Sequence, residues 1–188
     1  MQIDGRNEKS LRHRAIPALA LTLAARLAAG DPGPKPSAVD PSTFNVRIAE
    51  EAGAAAVRRA VSGAFRSLGD VRCQDLLSRF RDGTGRTLGS NLETLGTTPQ
   101  EYLRFVLFYD GSQIPACRAK TTKDVFAATT PGSRVVLVCL QQFSAAQRKK
   151  PYHGEAVVIH EMLHSLGLGE NPPSPEEITR QVMGACAR

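Results

Sequence analysis

Residues 155–178 read EAVVIHEMLHSLGLGENPPSPEEI, and the reading of the whole chain turns on them. Ala156, Val157, Val158, Ile159, Met162, Leu163 and Leu166 make residues 155–168 a helix that is apolar around most of its circumference. That pattern belongs to a helix buried in a core rather than one lying on a surface. Gly167 and Gly169 terminate it, and Asn171-Pro172-Pro173 forbids its continuation. Asn171 reads as a cap for the helix end. Ser174-Pro175-Glu176-Glu177 then supplies an N-cap, a proline at the first helical position and acids in the first turn, which predicts a last helix over 175–186.

Within its apolar run the first helix carries His160, Glu161 and His164, an H-E-x-x-H pattern. Residues i and i+4 share a helix face, so two imidazoles can reach one metal ion. Glu161 is turned by about 100° from His160, out of the ligand plane but within reach of a metal-bound water. A carboxylate in that position is a general base. A buried, unpaired polar group costs about 1–3 kcal/mol, so polar groups here need partners or an ion. Two of the four histidines of the chain fall at this spacing. A catalytic zinc takes three protein ligands and a water. Glu170 is the expected third, since Gly167 lets the chain leave the helix and swing back. Glu176 and Glu177, opening the next helix, are its rivals, and they also read as acids that favour a helix N-terminus. Tyr152 and His153, just upstream, read as loop surface or as groups that stabilise an oxyanion or touch substrate.

His160-Glu161-x-x-His164-x-x-Gly167-x-x-Glu170 resembles the extended zinc motif of the metzincin peptidases. Most of that clan has histidine where this chain has Glu170, and a snapalysin-like minority has aspartate. The clan also has a methionine turn beneath the metal. Met183, the methionine downstream, falls in the last expected helix. The spacing from Cys139-x-x-x-Phe143 to the zinc helix is similar to the layout of deuterolysin-type peptidases, whose later G-T-x-x-D motif is missing here. The stretch HExLHxLGLGENPP also resembles small exported bacterial metallopeptidases, which end in a cysteine a short helix later, as Cys186 does. The resemblance spans residues 73–186. It implies a zincin-like fold and a hydrolase: zinc on His160, His164 and Glu170, with Glu161 as the catalytic base of a peptidase, an endopeptidase by expectation.

Upstream, residues 45–68 are Ala-rich with apolar residues at helical spacing, which predicts a helix broken at Gly69-Asp70. A short helix is expected over 75–80, loop over 84–97, and a turn of helix from Thr98-Pro99. YLRFVLFY, residues 102–109, predicts a strand into a turn, and residues 125–129 a short strand. RVVLVCL, residues 134–140, is a nearly continuous apolar run and predicts a strand buried on both faces. Residues 141–154 read as a polar, basic connection. The order of elements gives an α+β domain over 44–188, with a short twisted sheet, an N-terminal helix and the H-E-x-x-H helix.

Residues 1–30 read as a signal peptide. Arg6, Lys9, Arg12 and Arg14 precede the apolar run AIPALALTLAA, and small residues precede Asp31. Residues 31–43, with four prolines, read as a linker. Export to an oxidising compartment suits the four cysteines, Cys73, Cys117, Cys139 and Cys186. Three pairings are open, and Cys73–Cys117 with Cys139–Cys186 is the one expected.

The chain has 188 residues, 41% hydrophobic and 22% charged, an ordinary globular composition for one domain. No apolar stretch is long enough to span a membrane, so stable insertion is not expected. The net charge is +6, half of it in residues 1–30, and no tryptophan is present. That argues against nucleic acid as a partner. The expected partner is a peptide or protein substrate met by a monomer. The alternative is a non-catalytic, zinc-stabilised binding module on the cell surface. A basic nucleic-acid-binding domain with an accidental H-E-x-x-H is the third reading.

Overall fold

The computed structural model describes residues 40–119 and 125–186. The expected signal peptide, and the linker up to residue 39, lie outside the described residues. Asp40 caps a 3-10 turn, Pro41–Thr43. FNVRI follows, residues 44–48, with Phe44, Val46 and Ile48 buried and Arg47 exposed. This period of two makes β1, Asn45–Arg47, where the sequence predicts the start of a helix. The Ala-rich helix α1, Glu51–Ser67, begins only after Glu50, whose carboxylate accepts from the N–H groups of Ala52 and Gly53.

Helix α2, Val71–Arg79, starts earlier than its apolar residues suggest, because Asp70 accepts from Arg72 N and fixes the first turn. Helix α3, Leu88–Thr94, occupies part of the stretch expected to be loop; Thr87 caps it and Leu88 and Leu92 anchor it. Helix α4, Pro99–Leu103, carries the full Thr98–Glu101 capping box. It takes Tyr102 and Leu103 from the expected strand, so β2 is only Leu107–Asp110. A short helix α5, Pro115–Arg118, precedes β3, Ala127–Ala128, and β4, Val135–Val138.

Three expectations fail after β3. Strand β4 is buried on one face only: Val136 and Val138 point inward and Val135 is 37% exposed. The expected polar connection is helix α6, Leu140–Lys149, held to the core by Leu140 and Phe143 alone. Its alanines, glutamines and basic residues favour helix without marking an apolar face. Helix α7, Pro151–Ser165, carries the H-E-x-x-H residues but starts at Pro151 rather than at 155 and ends before 168, so Tyr152 and His153 are helical, not loop; α8, Pro175–Cys186, matches its expected span.

The result is an α+β fold around a four-stranded mixed sheet, in the order β1-β2-β4-β3. The first three strands run parallel and β3 runs antiparallel at the edge. Val46, Phe108 and Val136 sit in register across the three parallel strands and face the core. Helices α1 and α7 meet through small residues. A Cβ on Gly154 would lie 3.2 Å from that of Ala60, so larger side chains would push the helices apart.

The disulfides are Cys73–Cys186 and Cys117–Cys139, not the expected pairing. Helix α8 packs on α2, which brings Cys186 to Cys73 with 4.7 Å between Cα atoms. Strands β2 and β4 are neighbours, so the segments that follow them place Cys117 beside Cys139. No helix among the described residues is long and apolar enough to cross a membrane.

Candidate metal centre

Almost every residue of α7 from Ala156 onward is buried, the polar ones included. The helix can end inside the protein because its last carbonyls find donors. His164 O accepts from Gly167 N and from Gly132 N, Ser165 O from the Tyr102 hydroxyl at 3.0 Å, and Leu166 O from the Asn91 amide at 3.0 Å. Gly167, at φ +106°, makes a Schellman turn, with Leu168 N donating to Leu163 O and Gly167 N to His164 O. Gly167, and not Asn171, therefore caps the helix. Asn171 lies beyond the turn at φ +61° and donates its N–H to Pro173 O.

The turn carries the chain back over the helix. The Nε2 atoms of His160 and His164 are 2.9 Å apart. Glu170 Oε1 lies 3.2 Å from His164 Nε2 and 3.9 Å from His160 Nε2. Ligands at about 2.0–2.1 Å from a tetrahedral ion are about 3.3 Å from one another, and these separations bracket that value. The two imidazoles are buried, and the Glu170 side chain is 42% exposed at the open side.

The ring orientations are fixed from behind. His164 Nδ1 is 2.8 Å from the Leu168 carbonyl, which can only accept. The proton therefore sits on Nδ1, and the Nε2 lone pair faces the cluster. His160 Nδ1 is 2.9 Å from the Thr179 hydroxyl of α8, which serves either tautomer. Burial, with His164 adding to it, pushes His160 down to about 4, so it is neutral at neutral pH and free to ligate.

Glu161 is buried beside the pair, and its Oε2 has no hydrogen-bond partner. Burial raises its pKa to about 7; Glu170 adds to the rise, while the hydroxyl of Thr129 opposes it. An orphaned, buried carboxylate oxygen next to converging lone pairs fits a bound cation with a water on it. The donor set, two imidazoles and a carboxylate, suits zinc chemistry. The group lines a cavity of about 770 Å³, whose other wall includes Val125, Phe126, Ala127 and Thr129 from β3 and its flanks.

The structure thus brings together His160, Glu161, His164 and Glu170. Glu176 and Glu177 do not join the cluster. Glu177 is tied to Arg180 and Gln181 on α8, which holds its carboxyl below the usual range, and Glu176 is exposed at the cavity mouth. His153 lines the cavity with Nε2 buried and unpartnered, whereas Tyr152 is 50% exposed outside it. Met183 is a partly buried residue of α8 packed on the core, not part of a turn. Sequence reasoning missed Thr179 and the Leu168 carbonyl, which hold the two histidine rings, and Thr129, whose hydroxyl acts on Glu161. A ligating histidine needs a partner on its second nitrogen, but spacing alone does not say which residue supplies it. No protein-family model, curated protein or solved structure matches the chain.

Proposed function

We propose that this chain is an exported, zinc-dependent peptidase of zincin type, as its H-E-x-x-H-x-x-G-x-x-E motif suggests. One observation carries the reading. His160 Nε2, His164 Nε2 and Glu170 Oε1 converge within 4.8 Å of one another, and the unpartnered Glu161 carboxylate is buried beside them at the wall of an open cavity. His160, His164 and Glu170 would hold the ion. Zinc, when bound, acts as a Lewis acid on water and on the scissile carbonyl. Glu161 would accept the proton of the attacking water and deliver it to the leaving amine, from a buried position beside the ligand cluster. Val125, Phe126 and Ala127 give the cavity an apolar side against which a substrate side chain can pack. Ala127 and Ala128 form the edge strand of the sheet and line the same cavity, so an extended substrate backbone can pair there. The two disulfides suit an oxidising compartment, in line with export.

The test is hydrolysis of a quenched-fluorescence peptide library. The zinc-loaded chain cleaves it, a strong chelator abolishes cleavage, and zinc added back restores it. No cleavage by the zinc-loaded chain, or cleavage indifferent to chelation, contradicts the reading.

A further inference from the structure

The turn that delivers Glu170 has two glycines, Gly167 and Gly169, flanking Leu168. Glycine leaves such a segment many conformations. Something else must hold it, and the described residues show what does. Arg81 and Thr87 pair across an antiparallel bridge and enclose the turn that contains Asp82. Asp82 Oδ1 accepts from Thr84 N, the Thr84 hydroxyl and Arg86 N at 2.8, 2.7 and 3.0 Å. Asp82 Oδ2 accepts from the Asn91 amide at 2.9 Å, and the same amide nitrogen donates to Leu166 O at 3.0 Å. Both hydrogens of that amide are thereby used. Asp82 also forms an isolated bridge to Leu168, and it packs so closely that a Cβ on Gly167 would lie 3.1 Å from its own. Neither Asp82 nor Asn91 lines the cavity of the histidine–carboxylate cluster.

We infer that Asp82 and Asn91 are positioning residues for the metal centre. They clamp Leu166–Leu168 from behind, so that the Leu168 carbonyl holds the His164 ring and Glu170 starts from a fixed point. The inference rests on the zinc reading. The amide of Asn91, then the hydroxyl of Thr84, holds the Asp82 carboxyl far below the ordinary carboxylate range, so the clamp stays charged throughout the pH range of interest. Supporting groups of this kind typically change metal affinity about 10–100-fold.

The experiment is zinc affinity of the full chain, read by competition with a chromophoric chelator. Asn91→Ala is expected to weaken binding by about 10–100-fold. Asp82→Asn is expected to do the same. An NH2 group in place of Oδ2 cannot accept the Asn91 hydrogen, and turning the new amide so that its oxygen faces Asn91 sets its NH2 against the N–H groups of Thr84 and Arg86. Thr84→Ala removes a bond to the same carboxylate but leaves the bridge through Asn91 intact, so its affinity stays within about twofold of the parent. In the zinc-free chain, the His164 Nδ1 proton gives a slowly exchanging resonance that Asn91→Ala removes. Affinity unchanged in folded Asn91→Ala and Asp82→Asn, or equally weakened in Thr84→Ala, overturns the inference and leaves the zinc reading standing. A folded parent that binds no zinc overturns both.

Discussion

Glu161→Gln lowers kcat/KM on a cleaved peptide by about 10²–10⁴-fold and leaves the zinc content at that of the parent. Glutamine has the shape of glutamate but cannot take a proton, so only the acid–base role is removed. The ligands remain, since Glu161 is not among the atoms that converge. The fold does not suffer either. Glu161 Oε2 makes no hydrogen bond that the substitution could break, the glutamine oxygen can still face the Thr129 hydroxyl, and burial already penalises the charged form. The variant therefore unfolds at the same temperature as the parent or higher, the usual relation where an active site stores an unfavourable group. Steady-state kinetics, metal analysis and a thermal scan on one preparation check all three. Retention of more than a few per cent of activity contradicts the role given to Glu161. If the chain were instead a zinc-stabilised binding module, the substitution would leave its function intact.

Removing the Cys73–Cys186 disulfide has the largest expected effect on stability. The two residues are 113 apart in sequence, and loop-closure entropy assigns about 5 kcal/mol to a loop of that size. Cys117–Cys139, 22 apart, is worth about 3 kcal/mol on the same basis. A domain of this size has about 5–15 kcal/mol in all, so the longer link is a large share of the total. It also ties α8, which carries Thr179, to α2. The Cys73→Ala/Cys186→Ala variant should show a urea midpoint far below the parent, and a larger loss than Cys117→Ala/Cys139→Ala. Equal losses contradict the assignment, as does non-reducing peptide mapping that links Cys73 to Cys117.

The part of the molecule around His160 and His164 was largely readable in the residues. Unbroken apolarity around His160 and His164 announced a buried helix, and Gly167 with Pro172 and Pro173 announced its end. Ser174-Pro175 set the start of the last helix to the residue. These signals are local, because caps and breakers act within a turn or two. What depended on distant partners was not readable. The alternation of Phe44, Val46 and Ile48 is a strand signal, but it runs straight into an alanine-rich helix and was absorbed into it. Helix α6 offers only Leu140 and Phe143 to the core, too few to reveal a period. Arg134–Leu140 looked buried on both faces, yet Val135 is exposed, since apolar composition does not say which face a sheet covers. The disulfide pairing follows from α8 docking on α2, and the partner of His160 from the same docking. Neither is encoded in spacing. Asp82 and Asn91 act on a turn more than 70 residues away, and no local pattern marks them.

The most direct measurement is the zinc content of the folded, oxidised full chain by mass spectrometry, beside Glu170→Ala and Glu177→Ala. The account predicts about one zinc per chain in the parent and in Glu177→Ala, and its loss in Glu170→Ala. Zinc lost with Glu177→Ala and kept with Glu170→Ala would contradict the ligand set. A folded parent that takes up no zinc when offered it would contradict the metal centre itself.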